Sequence, residues 1–399
     1  EYTPVNKNET RELILAGGPY NTRERDQILQ YCSEDVTALI QLIPRLVPKI
    51  DDLHFALYRG EYMKAVASQQ RYGIPIDTEV FRLIRKHRNE IRLRLIDDAA
   101  GACRVFENGR FSQQLLVDFL DQNDLLRTWP LTPTGWSSTS SRTLRDKAKL
   151  HPSTVGNLRE LLATERLLKA NSLTVGSDGR NRCLLSPFAS RTGRNQPSNS
   201  KFIFGPSCFM RGLIRPRRGH AIAYVDWEQQ EIGIAAKLSG DPNLVESYRS
   251  GDPYREFARL AGANPNQDRD LFKRCMLAVN YGMGEFSLSE NVGGSVVKAR
   301  HLLLLHEGIY KRYWRWSQDI VNQCLYRGSI ETELGWRMYM GDDPNLRAIA
   351  NFPCQGNGAE CMRVAAILMF ERGLPVCAPV HDAFLVEAPL NEIDEVVTE

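Results

Sequence analysis

The stretch that most constrains the fold is residues 221–241, where a short apolar run ends at an acidic residue and a helical pattern follows. Residues 221–225 are apolar and rich in strand formers, and Asp226 comes directly after them. Over residues 232–238 the apolar positions change to helical spacing, and Gly240 begins a stop signal. The pattern predicts a strand, a carboxylate at its end and then a helix. A solvated strand end is the commoner reason for such an acid, so a role for Asp226 needs support from elsewhere in the chain.

A second stretch carries a cationic stripe. Arg269, Lys273, Leu277 and Tyr281 recur at every fourth position, so on a helix they lie along one slowly drifting face. The N-terminal half of this face is cationic. Such a face suits the binding of phosphate groups.

A third stretch, residues 376–388, consists of two apolar runs on either side of His381 and Asp382. This arrangement predicts a β-hairpin with a carboxylate at its tip. Two aspartates at strand ends, together with a helix that carries a cationic stripe, are the parts needed for phosphoryl transfer assisted by two metal ions. The three stretches together indicate that class of chemistry.

At these stretches the chain resembles the family A (DNA polymerase I-like) DNA polymerases. Residues 226–231, Asp-Trp-Glu-Gln-Gln-Glu, are similar to motif A of that family, residues 269–282 to motif B, and residues 381–383, His-Asp-Ala, to motif C. The order and spacing of the motifs agree, and the resemblance covers essentially the whole chain. Where its motifs differ from the usual ones, the chain resembles bacteriophage-type members of the family. The resemblance implies an α+β class and the right-hand polymerase fold, with an antiparallel-sheet palm, helical fingers, a helical thumb and a partial exonuclease-like segment at the N-terminus.

The resemblance also implies how the chain divides. We expect a C-terminal remnant of a 3′–5′ exonuclease-like domain over residues 1–58 and the thumb over residues 59–182. The palm then occupies residues 183–240 and 345–399, with the fingers, residues 241–344, between its two parts. The chain starts at Glu1 without Met and stops at Glu399 among acidic residues. We therefore expect a piece of a longer protein, with a truncated C-terminus.

Tyr31 and Asp35 lie four positions apart on a predicted helix over residues 23–46. The pair resembles the third motif of a proofreading exonuclease, in which the Asp binds metal and the Tyr positions the attacking water. Nothing before Tyr31 supplies the earlier acidic motifs that such a site needs. An ordinary helix face is an equally good interpretation, and we expect no exonuclease activity from this chain.

The rest of the chain is predicted to be mostly helical. We expect a Gly-Ile-Pro turn at residues 73–75, Asp77 as the cap of one long basic helix through Leu95, a loop over residues 128–142 and a helix over residues 153–170.

Two local features invite a nucleic-acid interpretation, and for each a structural role is favoured. Residues 82–94 contain six Arg or Lys and one Glu, which is more often a solvated face. Aromatic residues over 310–316 would suit base stacking, but core packing is the favoured role.

The resemblance implies roles for individual residues. Asp226 and Asp382 bind two Mg²⁺ ions, which Mn²⁺ can replace, and the main-chain carbonyl of Trp227 is an additional ligand. The implied catalytic residues are these two aspartates and Lys273, which protonates the leaving pyrophosphate. The residues implied in dNTP binding are Arg269, Lys273, Leu277, Tyr281, Gln229 and Glu231. Those implied in binding primer–template DNA are Thr192, Arg194, Arg347, Asn351, Gln355 and His381.

Glu231 bears on the choice of sugar. In the family, a motif A Glu lies against the motif B Tyr, here Tyr281, and fills the space that a ribose 2′-hydroxyl would need. Related single-subunit RNA polymerases lack that carboxylate, so Glu231 favours a DNA polymerase over an RNA polymerase.

A third hypothesis is a catalytically silent polymerase-fold protein that binds DNA. The presence of both aspartates and the cationic stripe argues against it.

Three departures from the family pattern stand out. Ala383 replaces the usual Glu of motif C, which removes a second carboxylate. Leu277 stands where Phe or Tyr is common beside the incoming sugar. Residues 227–230 read Trp-Glu-Gln-Gln in place of the more usual Tyr-Ser-Gln-Ile.

Composition limits the classes of partner and compartment. The net charge is only +3, so any polyanion site must come from local clustering. Nine cysteines without a Cys-x-x-Cys pair argue against a disulfide framework or a zinc site, and we expect the cytoplasm of a bacterium or of a phage-infected host. No apolar run approaches the length that spans a bilayer. We expect a monomer that binds primer–template DNA and dNTPs, with helicase, primase or other replisome proteins as further candidate partners.

Overall fold

The protein is described by a computed structural model that covers residues 7–170, 173–205, 208–293 and 295–399. Its contacts divide the chain into two units, with the boundary between Gly60 and Glu61. Among the described residues, no helix combines the length and the apolar character that crossing a bilayer requires.

The first unit contains α1 (Lys7–Ala16), α2 (Thr22–Leu46) and a short 3₁₀ helix (Val47–Lys49). Asn21 caps α2 in a capping box: its side chain accepts from the backbone N–H of Glu24, and the Glu24 carboxylate accepts from the backbone N–H of Asn21. This start confirms the predicted helix over residues 23–46 to within one residue.

The next part of the chain is helical, with two short antiparallel strand pairs. Its helices are α3 (Leu53–Tyr72), α4 (Thr78–Lys86), α5 (Arg88–Ala99), α6 (Gln113–Gln122), α7 (Ser141–Leu150) and α8 (Val155–Ala170). Its strands are β1 (Ile74–Pro75), β2 (Phe106–Glu107), β3 (Arg110–Phe111) and β4 (Arg180–Asn181), where β1 pairs with β4 and β2 with β3.

The structure corrects two predictions in this region. The expected long basic helix is two helices, because the chain bends at His87, which ends α4 by donating its N–H to the carbonyl of Leu83. The expected turn at residues 73–75 includes β1, whose residues pair with Arg180 and Asn181. The cap at Asp77 is confirmed, because its carboxylate accepts from the backbone N–H of Val80.

The remaining elements surround a three-stranded sheet. The helices are α9 (Gln230–Ser239), α10 (Pro242–Arg249), α11 (Pro253–Leu260), α12 (Arg269–Asn280), α13 (Glu285–Ser289), α14 (Val296–Ile309), α15 (Lys311–Arg327), α16 (Leu346–Glu371) and α17 (Ile393–Thr398). The strands are β5 (His220–Asp226), β6 (Ser329–Glu331), β7 (Arg337–Tyr339), β8 (Val376–Val380) and β9 (Ala383–Pro389).

The sheet is antiparallel, in the order β5-β9-β8. Its register pairs His220 with Pro389 at one end and Asp226 with Ala383 at the other. The predicted strand before Asp226 and the predicted hairpin over residues 376–388 are both confirmed. The helix predicted after the strand begins at Gln230 and ends at Gly240, which has the left-handed φ of +58°.

Apolar side chains form separate cores around these elements. The core against the sheet includes Ile74, Leu185, Ile203, Leu385 and Val386. The helices between β5 and β6 have their own core, which contains Tyr310 and Tyr313, at 0% and 5% exposure. These two aromatic side chains therefore pack in the core, as favoured from the sequence, and are not available for base stacking. Residues 96–162 form a third core.

Some of the basic residues near the sheet take part in internal ion pairs. The carboxylate of Glu387, fully buried on β9, accepts from the guanidinium of Arg180 at 2.6 Å and from the backbone N–H of Arg217 at 2.9 Å. Burial alone would raise the pKa of Glu387, but these hydrogen bonds outweigh it and hold the pKa below its usual value.

The guanidinium of Arg217 also lies near this carboxylate, with Nε 3.6 Å from Oε1. We predict that Glu387→Gln destabilises the folded chain at pH 7 by about 2 kcal/mol, because a neutral amide does not compensate the charges of Arg180 and Arg217. A carboxylate with a lowered folded-state pKa stabilises the fold above its unfolded-state pKa, and that contribution is lost as the pH falls through the folded-state pKa. The difference between the two proteins in urea unfolding should therefore shrink below about pH 4. Glu371→Gln, exposed on α16, is the control. An equal difference at pH 7 and pH 3 would contradict this account.

Gln230, the first residue of α9, is 6% exposed, and its amide nitrogen and oxygen have no hydrogen-bond partner within the described ranges. The side chain fits against Gly358 of α16, where an added Cβ would lie 2.6 Å from Oε1. An unpaired buried amide costs about 1–3 kcal/mol.

We predict that Gln230→Leu raises the midpoint of thermal unfolding, by the equivalent of about 1 kcal/mol, because it removes a buried polar group at similar volume. Gln323→Leu, at an exposed position of α15, is the matched control and should not stabilise. A lower midpoint for Gln230→Leu would show that the amide has a stabilising partner in the folded chain.

Candidate active site

The two predicted metal-binding aspartates are brought to one edge of the sheet. Asp226 is the last residue of β5, and Asp382 lies in the two-residue turn between β8 and β9. The backbone N–H of Trp227 donates to the carbonyl of Asp382 at 3.1 Å, which ties the two segments together just beyond the register pair Asp226 and Ala383. Motifs A and C therefore meet through the backbone.

The electrostatics of this edge suit a divalent cation. Desolvation by the surrounding protein, and then the negative charge of Asp382, raise the pKa of Asp226. A hard cation stabilises the charged form of a carboxylate whose pKa is raised in this way. Within the described residues there is no group of three or more His, Cys, Asp or Glu side chains that could hold a metal. Asp226 and Asp382 supply the carboxylate oxygens at this edge, and oxygen is the ligand type that Mg²⁺ takes.

Glu231 and Tyr281 meet as predicted from motifs A and B. The hydroxyl of Tyr281 donates to Oε1 of Glu231 at 3.4 Å. Burial, and then the charge of Glu231, raise the pKa of Tyr281, so its hydroxyl keeps its proton. Arg194 contacts the same carboxylate oxygen, with Nη2 at 3.0 Å.

Gln229 lies between Asp226 and α9 and has a left-handed φ of +43°. Its side-chain Nε2 donates to Oε1 of Glu228 at 3.3 Å. A non-glycine residue in this backbone region is strained, and such strain is common at binding sites. His381, next to Asp382, also has a left-handed φ, of +57°, and is exposed.

The cationic stripe of α12 is present, and its first two members flank one ring. The guanidinium carbon of Arg269 lies 5.3 Å from the centroid of Tyr254, and Nζ of Lys273 lies 5.6 Å from it. Nε of Arg269 also donates to Oδ2 of Asp252 at 2.6 Å, and its Nη1 lies 3.9 Å from Oδ1 of Asp270, so two acidic side chains orient the guanidinium.

The C-terminal half of the stripe reaches the end of α12. Leu277 is half-buried, and Tyr281 is the residue that ends the helix, with 42% of its surface exposed. Gly282 follows with a φ of +62°, and an added Cβ there would lie 3.1 Å from the side chain of Arg347. A side chain at position 282 would therefore press against Arg347.

Arg347, Asn351 and Gln355 lie on successive turns of α16. Arg347 is exposed and Gln355 is half-buried. Asn351 is 8% exposed, and its Oδ1 has no partner within the part of the chain that the structure describes.

Thr192 and Arg194 lie on a tight turn. The N–H of Gly193 donates to the carbonyl of Ser190 at 2.9 Å, and the hydroxyls of Ser190 and Thr192 are 3.1 Å apart. Gly193 has a φ of +74°, and an added Cβ would lie 3.0 Å from the ring of Trp336, so only glycine fits at this position.

Sequence reasoning did not find Arg363. This side chain, 1% exposed on α16, donates from Nη1 to the carbonyl of Gly193 at 2.7 Å and from Nε to Glu360 at 3.0 Å. A cation within an apolar helix, three residues after an acid, is the signal that could have indicated a buried ion pair. With Arg194, Gln230 and His381, Arg363 lines a cavity of about 670 Å³.

Tyr31 and Asp35 lie in the first unit, one turn apart on α2. Tyr31 is half-buried and Asp35 is exposed. The structure places no residue of the polymerase-like motifs in this unit, and the exonuclease-like role of the pair stays a prediction.

Comparison with known proteins gives one family. The family model described as DNA polymerase family A matches residues 113–399. The thermostable DNA polymerase I of Thermus thermophilus is 27% identical over 295 residues, which cover 66% of this chain and 35% of that protein. DNA polymerase I of Chloroflexus aurantiacus is 23% identical over 410 residues, covering 92% and 43%. The DNA polymerase of Mycobacterium phage L5 is 25% identical over 223 residues, covering 54% and 37%. The chain spans less than half the length of these relatives.

A solved structure supports the fold. The POL domain of Pol1 from M. smegmatis, in complex with DNA primer-template and dNTP, has a TM-score of 0.69 at 22% identity, covering 85% of this chain and 65% of that one. The right-hand polymerase fold predicted from the sequence is thereby confirmed. The family model covers most of the sequence and includes all three motifs, and this chain belongs to DNA polymerase family A.

Proposed function

We propose that the chain catalyses template-directed DNA synthesis, adding dNTPs to a primer 3′-hydroxyl with release of pyrophosphate. The observation that carries the proposal is the meeting of Asp226 and Asp382 at one edge of the sheet, where the end of α12 also arrives through Tyr281 and Glu231. Membership of family A supports it, as does the M. smegmatis relative, whose title names primer-template DNA and dNTP.

Asp226, Asp382 and the main-chain carbonyl of Trp227 would hold two Mg²⁺ ions, and Mn²⁺ could replace them. Bound there, these ions lower the pKa of the primer 3′-hydroxyl and neutralise the charge that develops on the pyrophosphate. The two carboxylates would fix the position of the ions, and so of the reacting groups beside them. The primer 3′-hydroxyl gives its proton to solvent, and its oxygen forms a bond to the α-phosphorus as the bond from that phosphorus to pyrophosphate breaks.

Arg269 and Lys273 bind the triphosphate. The ion pair with Asp252 holds the Arg269 guanidinium in place before the nucleotide arrives, which reduces the entropy lost on binding. Lys273 donates a proton to the oxygen of the pyrophosphate that leaves. Leu277 and Gln229 complete the nucleotide site beside them.

Glu231 and Tyr281 select the sugar. The carboxylate, held by the tyrosine hydroxyl, occupies the space that a 2′-hydroxyl would need. A ribonucleotide would have to displace a hydrogen-bonded charged group, so the site favours deoxyribonucleotides.

Six side chains contact the primer–template: Thr192, Arg194, Arg347, Asn351, Gln355 and His381. Residues 59–182 act as the thumb, which grips phosphates without regard to sequence. Residues 241–344 act as the fingers, and residues 183–240 and 345–399 form the palm, while residues 1–58, with Tyr31 and Asp35, are an exonuclease remnant without activity. The chain works as a monomer, and a helicase or primase would be a further partner.

The proposal is tested by single-nucleotide incorporation on a primed template with Mg²⁺. We expect the wild-type chain to extend the primer, and we expect Asp226→Asn and Asp382→Asn each to lower the rate by about 10³-fold or more while DNA is still bound. Asp342→Asn, an exposed acid after β7, is the control and should extend normally.

Failure of the wild-type chain to extend a primer that it binds would favour the silent DNA-binding protein. Turnover retained in either aspartate variant would remove that residue from the metal site.

We also predict strong discrimination against dideoxynucleotides, because Leu277 has no hydroxyl to replace the missing 3′-hydroxyl. Leu277→Tyr should reduce this discrimination by about tenfold or more, the effect of one restored hydrogen bond. The measurement is the ratio of incorporation efficiencies for dCTP and ddCTP. Leu325→Tyr, exposed on α15, controls for an added tyrosine, and efficient termination by the wild-type chain would refute the prediction.

A further inference from the structure

One carboxylate oxygen is shared by two donors that the proposed function assigns to different tasks. Oε1 of Glu231 accepts from Nη2 of Arg194 at 3.0 Å and from the hydroxyl of Tyr281 at 3.4 Å. Tyr281 belongs to the sugar site, whereas Arg194 is assigned to the DNA. The shorter and charged of the two hydrogen bonds is the one from Arg194.

The backbone around Arg194 is fixed from several sides. Its carbonyl accepts from the N–H of Ser190 at 3.2 Å, and the preceding carbonyl, of Gly193, accepts from Arg363 at 2.7 Å. Nε1 of Trp336 donates to the carbonyl of Arg191 at 3.0 Å. These hydrogen bonds hold the backbone of the turn at residues 190–194 in place, and the Arg194 side chain extends from that turn to Glu231.

The Glu231 carboxylate excludes a 2′-hydroxyl only while it stays in the position that the hydroxyl would occupy. A glutamate side chain has three rotatable bonds, and a single long hydrogen bond from Tyr281 restricts them weakly. The side chain of Glu231 is 15% exposed and that of Arg194 is 37% exposed, so solvent screens the pair only in part. The charged hydrogen bond from Arg194 thus supplies most of the restraint on the Glu231 carboxylate.

On the basis of the function proposed above, we propose that Arg194 is a positioning residue for Glu231 and so a determinant of sugar specificity. The guanidinium can hold Glu231 through Nη2 while its other nitrogens reach the minor-groove acceptors of the primer's terminal pair. One side chain would then serve both the primer end and the choice of sugar. A lysine has a single ammonium group in place of the planar guanidinium, so it would hold Glu231 and contact the primer end only in part.

The test is single-turnover incorporation of dCTP and of CTP opposite guanine, expressed as the ratio of their efficiencies. The variants are Arg194→Gln, Arg194→Lys, Glu231→Ala and the double variant Arg194→Gln with Glu231→Ala. We expect Arg194→Gln to lower the ratio by about tenfold and Arg194→Lys to lower it less. In the Glu231→Ala background, Arg194→Gln should change the ratio no further, because the carboxylate that it positions is gone.

Two results would overturn the inference. One is an unchanged ratio in Arg194→Gln, even if the overall rate falls through weaker DNA contacts. The other is an equal effect of Arg194→Gln with and without the Glu231 carboxylate, which would show that Arg194 acts on the sugar by another route.

Arg191→Gln is the matched control, because Arg191 lies on the same turn with an exposed side chain. Its ratio should equal that of the wild-type chain. Failure of the proposed function is distinguishable, because it would appear as no dCTP incorporation by the wild-type chain. Normal dCTP incorporation with an unchanged ratio in Arg194→Gln would reject only the role of Arg194 in sugar choice.

Discussion

The antiparallel pairing of β5 with β9 is the interaction on which the rest of the site depends. It aligns Asp226 with Ala383, so the carboxylate at the end of one strand lies beside the turn that carries Asp382. Because side chains alternate between the two faces of a strand, a slip of one residue would exchange the side chains of β9 between two faces that are both buried. The apolar core against the sheet, which includes Leu385 and Val386, therefore holds the two acids in register.

The elements that carry the proposed nucleotide site are joined to one another by a few polar contacts. Glu231, the second residue of α9, is the meeting point, since it binds Tyr281 at the end of α12 and Arg194 from the turn at residues 190–194. Arg363 connects that turn to α16, the long helix that also carries Asn351. The start of α9, the end of α12, α16 and the turn at residues 190–194 are thus linked by hydrogen bonds, and we expect a change at one of them to affect the others.

Local patterns predicted the elements that carry the chemistry, because a strand, a hairpin and a helical stripe each have a period that short stretches reveal. The strand before Asp226, the hairpin around Asp382 and the helix that starts at Arg269 all followed from such periods. The bend at His87 did not, since no Pro or Gly marks it. Nor did the contacts of Arg194 and Arg363, because these join residues far apart in the chain, and only the fold brings them together.

The central claim is that the edge formed by Asp226 and Asp382 binds the divalent cations of a polymerase. Anomalous diffraction from crystals of the chain with primer–template DNA, a nonreactive dNTP analogue and Mn²⁺ tests it most directly. The account predicts anomalous peaks within coordination distance of both carboxylates, next to the triphosphate. Mn²⁺ bound elsewhere, with both aspartates left without metal beside an ordered triphosphate, would contradict it.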